Sequence, residues 1–370
     1  MDIKVITRHA PSNYGSLLQA IATQTILERL GHRCEIIDYV RNDEQGLRGV
    51  ITALNGKRKW KDNFFKKLFY IGLRYPDEKI AEVKFGRMRS RYLNLTEHCS
   101  TLDDLSKLDA DIFMTGSDQV WGLTLNGRYD EAYFLTFAKD RPKVAYAASF
   151  GRTDFAPSLI CDYRRMLSSY SAISVREDSA VDMLKEWNIA CAGQVLDPTL
   201  MLTADEWGRY SAKTAGFSKK YVLVYQIHND RRLGYYAKRF ANHVGLPLVR
   251  ISPSLHQISR EGKLNLLPGL AQFLSCIKNC TYLITDSFHG TAFALNFERQ
   301  FMEILPNNKT GSRNMSILTL TGLTDRIVAN FNDFTISKKD IDYDRVNTVL
   351  AGERQRSMEI LEAIIHDCII

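Results

Sequence analysis

The chain has no apolar run approaching the roughly 18 residues that span a bilayer. Its most apolar basic stretch, Phe64 to Leu73, is broken by Lys66 and Lys67. A secretory leader pattern is missing too, because Met1-Asp2-Ile3-Lys4-Val5-Ile6 reads as a strand. The seven cysteines (Cys34, Cys99, Cys161, Cys191, Cys276, Cys280 and Cys368) are odd in number and follow no framework spacing. Cys276 and Cys280 have neither a second pair nor a histidine cluster to complete a zinc set. These absences point to reduced thiols and a cytoplasmic protein with no structural metal. No internal repeat and no low-complexity tract occurs. With 45% hydrophobic and 25% charged residues, the composition excludes a disordered or collagen-like chain. A length of 370 residues exceeds what one core fills, so two domains are expected.

Charge is concentrated in one window. Between Arg41 and Arg91 stand 14 Lys and Arg against 6 Asp and Glu, an excess larger than the net +7 of the whole chain. Trp60, Phe64, Phe65, Leu68, Phe69, Tyr70 and Leu73 interleave with the charge. Phe64, Leu68 and Ile71 fit one helical face. Such a helix suits packing on the first domain, an anionic membrane surface or a phosphate-bearing substrate. No recognition motif accompanies it, so nucleic acid is not expected as a partner.

Elsewhere short apolar runs alternate with helical patterns. Strands are expected at Ile3–Thr7, Cys34–Asp38, Asp111–Thr115, Val144–Ala148, Ala172–Val175 and Gln194–Leu196. After a polar pause from Thr203 to Lys220 the pattern restarts at Tyr221–Gln226, Leu246–Ile251, Tyr282–Thr285 and Phe301–Ile304. This alternation predicts an α/β protein of two doubly wound Rossmann-like domains facing a cleft. The expected division is 1–205, carrying the basic helical insertion at about 41–98, then 206–342, then a helix over 343–370 returning to the first domain.

Five motifs fall at predicted strand ends. Asn13-Tyr14-Gly15-Ser16 opens a helix, either as an anion-holding N-terminus or as ordinary capping. In Thr115-Gly116-Ser117-Asp118-Gln119-Val120-Trp121-Gly122, Asp118 can accept a sugar hydroxyl and Trp121 can offer a flat face to a sugar, unless they are a turn residue and a core residue. Tyr146-Ala147-Ala148-Ser149-Phe150-Gly151 reads as close packing. Arg176, in Ser174-Val175-Arg176-Glu177-Asp178, can grip a ligand carboxylate with its planar fork, unless it forms an ion pair with Glu177 or Asp178. His289, in Thr285-Asp286-Ser287-Phe288-His289-Gly290-Thr291, stands after an apolar strand and before a helix expected at Thr291–Phe297, a setting for acid–base chemistry.

The ordered set, with Leu196-Asp197-Pro198-Thr199, resembles the polysaccharide pyruvyl transferase family from about Asn13 to about Leu323. The resemblance implies a GT-B-like fold and transfer of pyruvate from phosphoenolpyruvate to sugar hydroxyls, with ketal formation and phosphate release. It implies His289 as the acid that protonates the donor methylene and Arg176 as the holder of the donor carboxylate. Some family members carry an arginine two residues before the histidine, where this chain has Ser287. Arg313 and Lys309 are the expected replacement cations, with Ser287 and Gly290 beside the donor. Asn13, Tyr14, Gly15, Ser16, Asp118 and Trp121 are expected at the acceptor or cleft. No metal or cofactor is expected beyond the donor substrate. The expected acceptor is a sugar or lipid-linked oligosaccharide, with the protein peripheral at the inner membrane face. Two other readings are a nucleotide-sugar glycosyltransferase and a non-catalytic sugar- or anion-binding relative.

Overall fold

The computed structural model describes residues 1–368 except 42, 43, 45, 56–63, 125, 214, 215, 218, 219 and 307–310, with residues 48, 53, 55 and 73 described by backbone alone. The chain divides into two units, Met1–Pro198 with Arg356–Ile370, and Thr199–Gln355.

Unit 1 is built on six strands: β1 (Asp2–Ile6), β2 (Arg33–Ile36), β3 (Ile112–Thr115), β4 (Lys143–Ala148), β5 (Ala172–Val175) and β6 (Gly193–Gln194). They lie parallel in the order β2-β1-β3-β4-β5-β6. The inner strands β3, β4 and β5 are near-continuously buried, as expected of strands covered on both faces, whereas edge strand β2 alternates exposed or half-buried residues with buried ones. Asn13 starts α1 (Tyr14–Arg29) by accepting the Gly15 N–H on Oδ1 at 2.8 Å. Helices α2 (Gly46–Asn55) and α3 (Phe64–Tyr92) form the basic insertion. The far half of α3 packs through Ala81, Phe85 and Met88, three and four residues apart, with the Phe85 ring 4.9 Å from that of Tyr14. The near half does not bury the face expected from Phe64 and Leu68. The two are 68% and 52% exposed, because α2 offers only the small cluster of Val50 and Leu54, which Tyr70 and Ile71 occupy. Further on are α4 (Pro157–Leu167) and α5 (Asp178–Glu186).

Unit 2 has β7 (Val222–Tyr225), β8 (Leu248–Ser252), β9 (Lys263–Leu266), β10 (Tyr282–Thr285) and β11 (Gln300–Glu303), parallel in the order β11-β10-β7-β8-β9. Edge strand β9 is not among the expected strands. It is half-exposed and reads Lys-Leu-Asn-Leu, too polar to stand out as an apolar run. Its helices are α6 (Arg231–Val244), α7 (Leu270–Lys278), α8 (Phe288–Asn296) and α9 (Ser312–Leu320). The last helix, α10 (Tyr343–His366), contains the boundary between the units. Its Ser357, counted with unit 1, accepts the Leu196 N–H at 2.9 Å. No helix among the described residues is long and apolar enough to cross a membrane.

Both strand orders reverse once, between β1 and β3 in unit 1 and between β7 and β10 in unit 2. Loops leaving adjacent strands in opposite directions open a crevice at the carboxyl edge, where such sheets take ligands. The sequence motifs that follow β1, β3 and β10 therefore sit at the two switch points.

Candidate functional site

At the unit 2 switch point, Asp286 ties β10 to the loop after β7. Its carboxylate accepts the Ile227 N–H at 2.7 Å and the His228 N–H at 3.0 Å. Ser287 then caps α8. Its hydroxyl accepts the Gly290 N–H at 3.3 Å, and its own N–H donates to Thr285 Oγ1 at 3.0 Å. A Cβ on Gly290 would stand 2.3 Å from Thr285 Oγ1, so only glycine lets the first turn of α8 rest on the strand end. The helix begins at Phe288, earlier than the expected Thr291, because Ser287 rather than a later residue is the cap. His289 thus lies within the first turn. It is 6% exposed, with its ring 5.3 Å from that of Phe288 and nearly perpendicular to it. Around it are hydroxyls and the N–H end of a helix, an environment that favours anions.

Beside this turn is a carboxyl group that the motif reading missed. Glu303 ends β11 opposite Thr285 and is fully buried. Burial pushes its carboxyl up to about 8, against hydrogen bonds from Thr291 and Asn314, with nearby Asp286 adding to the rise. Asn314 Nδ2 donates to Glu303 Oε1 at 2.6 Å, and Thr291 Oγ1 meets both Glu303 Oε2 and, at 3.3 Å, the Ser287 carbonyl. A protonated Glu303 donates to Thr291, which donates to the carbonyl of the α8 cap. The available signal was a lone acid inside Phe301-Met302-Glu303-Ile304. Arg313 follows in the first turn of α9, 9% exposed. Lys309 lies outside the described residues.

Two further arginines converge on the same edge. Arg250 on β8 is fully buried and donates to Gln226 Oε1 and Gln257 Oε1, each at 3.0 Å. Arg260 donates to the same Gln226 oxygen at 2.6 Å. Burial, then the neighbouring Arg260 charge, lower the Arg250 guanidinium to about 10. Arg250 was overlooked because an arginine in an apolar strand run reads as an interruption.

The unit 1 edge gathers four motifs and Asp197 into one buried polar network. Ser16 Oγ donates to Asp118 Oδ2 at 2.7 Å, Ser117 Oγ to Asp197 Oδ2 at 2.9 Å, and Ser149 Oγ to Glu177 Oε1 at 2.7 Å. Arg176 stands at the centre, donating to Asp197 at 2.6 Å, with Asp118 and Glu177 each at 3.8 Å. Burial acts to lower its pKa, but the attraction of Asp197, Asp118 and Glu177 prevails and the guanidinium is held above its ordinary value. This corrects the expected role of Arg176. One guanidinium enclosed by three carboxylates leaves the cluster net negative, so a donor carboxylate would meet repulsion there. Asp118 adopts a left-handed backbone (φ +72), and its other oxygen accepts the Gln119 N–H at 2.8 Å.

Trp121 is also corrected. It is fully buried, donates Nε1–H to the Tyr133 carbonyl at 3.1 Å, and packs on Phe150 and Phe134, leaving no face for a sugar. Tyr14 is likewise buried against Phe85. Asn13 and Ser16 act as a helix cap and as a partner of Asp118, and Gly15 is buried beneath them.

Among curated proteins, none matches the chain. Among solved structures, a UDP-N-acetylglucosamine 2-epimerase from Rickettsia bellii is similar at 10% identity and a TM-score of 0.52, covering 98% of this chain and 95% of that one. A UDP-GlcNAc 2-epimerase from Methanocaldococcus jannaschii, in complex with UDP-GlcNAc and UDP, is similar at 14% identity and a TM-score of 0.52, covering 99% of both chains. Identities this low establish the fold alone, which is the two-domain α/β architecture of GT-B type. The sequence model of the polysaccharide pyruvyl transferase family matches residues 13–308, spanning the motifs from the α1 cap to His289 and Glu303, and the chain belongs to that family.

Proposed function

We propose that the protein transfers the pyruvyl group of phosphoenolpyruvate to two hydroxyls of a sugar, with His289 as the general acid. The supporting observation is a histidine fixed in the first turn of α8, at the switch point of unit 2, by the Ser287 cap and the Gly290 contact. The protonated ring delivers a proton to the donor's methylene carbon, and the adjacent carbon becomes cationic. A sugar hydroxyl oxygen bonds to that carbon and releases its proton. The carbon–oxygen bond to phosphate breaks, inorganic phosphate leaves, and a second hydroxyl closes the ketal. Acid catalysis of this kind supplies about 10²–10⁴ in rate.

With Arg176 neutralised in unit 1, the donor's negative groups fall to cations of unit 2. Arg313 in the first turn of α9 and Arg260, seated with Arg250 on Gln226, are the candidates. Arg313→Ala or Arg260→Ala is expected to raise the donor KM. Unchanged KM and turnover in both would remove this assignment.

The exposed start of α3 supports peripheral membrane contact during assembly of a lipid-linked acceptor. Phe64, Phe65, Leu68 and Phe69 are 52–79% exposed next to Lys66 and Lys67, apolar and basic together. The protein is expected to sediment with anionic vesicles at low salt, and no sedimentation there would remove this part.

The main test is incubation with phosphoenolpyruvate and galactoside or mannosamine-type glycosides, reading phosphate release and pyruvyl mass gain on the sugar. Protection from proteolysis by a nucleoside diphosphate but not by phosphoenolpyruvate would instead favour a nucleotide-sugar transferase.

A further inference from the structure

Unit 1 holds a cavity of about 560 Å³ at the carboxyl ends of β1 and β2, walled by α2 and α3. Its size falls within the range of small-molecule sites. Its chemistry does not resemble the mostly apolar lining of such sites. Three arginines (Arg8, Arg74, Arg89) and four carboxylates (Asp38, Glu44, Glu78, Glu82) line it, with Tyr70 and Val50 as the main apolar surfaces.

The cations are already directed at internal acceptors. Arg8 pairs with Glu44 and Arg74 with Glu78, while Arg89 Nη1 donates to the Ala10 carbonyl at 2.8 Å. His98, also in the lining, sits 3.1 Å from Asp38 Oδ2. A phosphate or carboxylate would have to compete with Glu44 for Arg8 and with Glu78 for Arg74, and at Arg89 it would still face the remaining acids. A hydroxyl-rich neutral ring has no such conflict. Each carboxylate keeps lone pairs for further O–H donors, and the fixed guanidinium N–H groups serve hydroxyl oxygens. The cavity wall also carries unsatisfied polar atoms. Arg8 Nε and Glu44 Oε2 are buried with no hydrogen-bond partner among the described residues. Although the insertion is the most basic part of the sequence, the side it turns to this cavity carries more acid than arginine.

We infer that this cavity binds an uncharged saccharide ring, held by Asp38, Glu44, Glu78 and Glu82 as acceptors of its hydroxyls and excluding anionic headgroups. Identifying that ring as the acceptor rests on the transferase reading, but its binding does not.

The test is saturation-transfer NMR on the full chain without donor. Methyl β-galactopyranoside and methyl N-acetyl-β-mannosaminide are the sugar probes, and glycerol phosphate is the anionic probe. Wild type is expected to transfer saturation to at least one glycoside, and an excess of glycerol phosphate, which can also meet the unit 2 cations, is expected not to reduce that signal. Glu78→Gln with Glu82→Gln is expected to weaken the glycoside about tenfold, the scale of hydrogen bonds to charged groups, and to let glycerol phosphate compete with what remains of it. Should that double variant fail to fold, Ser12→Trp fills the cavity from its rim and is expected to abolish the glycoside signal. Displacement of the glycoside by glycerol phosphate in wild type, or a glycoside signal indifferent to these substitutions, overturns the inference. A glycoside signal without turnover of phosphoenolpyruvate would fail the transferase reading alone; turnover without any glycoside signal would fail the cavity alone.

Discussion

The two units place their motifs at equivalent points, the carboxyl edges of parallel sheets, yet the chemistry there differs. In unit 1 the edge is electrically closed. Arg176 lies among Asp197, Asp118 and Glu177, and Ser16, Ser117 and Ser149 each donate to one of these carboxylates. In unit 2 the edge is poised. His289 stands in a helix turn, Glu303 stays protonated near neutral pH, and Arg250 and Arg260 meet on a neutral amide instead of a carboxylate. Similar motif types therefore take different settings, one closed into a charge network and the other placing a histidine in the first turn of a helix.

The largest effect expected from breaking this contrast is catalytic. His289→Ala should lower phosphate release by about 10²–10⁴ while thermal stability stays near wild type. The counterpart in unit 1 should behave the other way. Arg176→Ala leaves three buried carboxylates uncompensated and should destabilise by about 3–5 kcal/mol in chemical denaturation, the range for breaking a buried pair. A stable Arg176→Ala protein that has lost donor affinity would restore the clamp role this structure withdraws. Gly290→Ala forces a Cβ against Thr285 Oγ1 at 2.3 Å and should cost about 1–3 kcal/mol, with activity falling further than stability because His289 moves with the turn.

Glu303 gives the finest comparison. Its folded pKa lies above the unfolded value, so the folded state keeps a proton that the unfolded state releases. Its contribution is present in full below the ordinary carboxylate range and is lost as pH rises toward about 8. The slope is about 1.4 kcal/mol per pH unit within that window. Glu303→Gln should flatten this part of the stability profile measured by urea unfolding, and an unchanged slope would place the titration elsewhere.

The sequence carried the fold well where apolar runs were buried on both faces. Tyr282–Thr285 and Ala172–Val175 match their strands to the residue. It did not carry β9, whose half-exposed Lys-Leu-Asn-Leu has no such run. At the site, spacing identified Ser16, Asp118, Arg176 and His289 as special but not in what respect. An arginine after a strand has the same local pattern whether it faces a ligand or three acids from distant strands. Trp121 shows the same limit, since its burial depends on Tyr133, Phe134 and Phe150, which fold around it from later segments. Glu303 and Arg250 were hidden for the opposite reason, as single charged residues inside apolar strands whose partners lie elsewhere in the chain.

The central claim is that His289 hands a proton to the donor's methylene carbon. Running the reaction in deuterium oxide and weighing the ketal tests it directly. The account predicts one deuteron in the new methyl group with wild type and no labelled product with His289→Ala. A ketal whose methyl carries no deuterium, or undiminished labelling without the histidine, would contradict it.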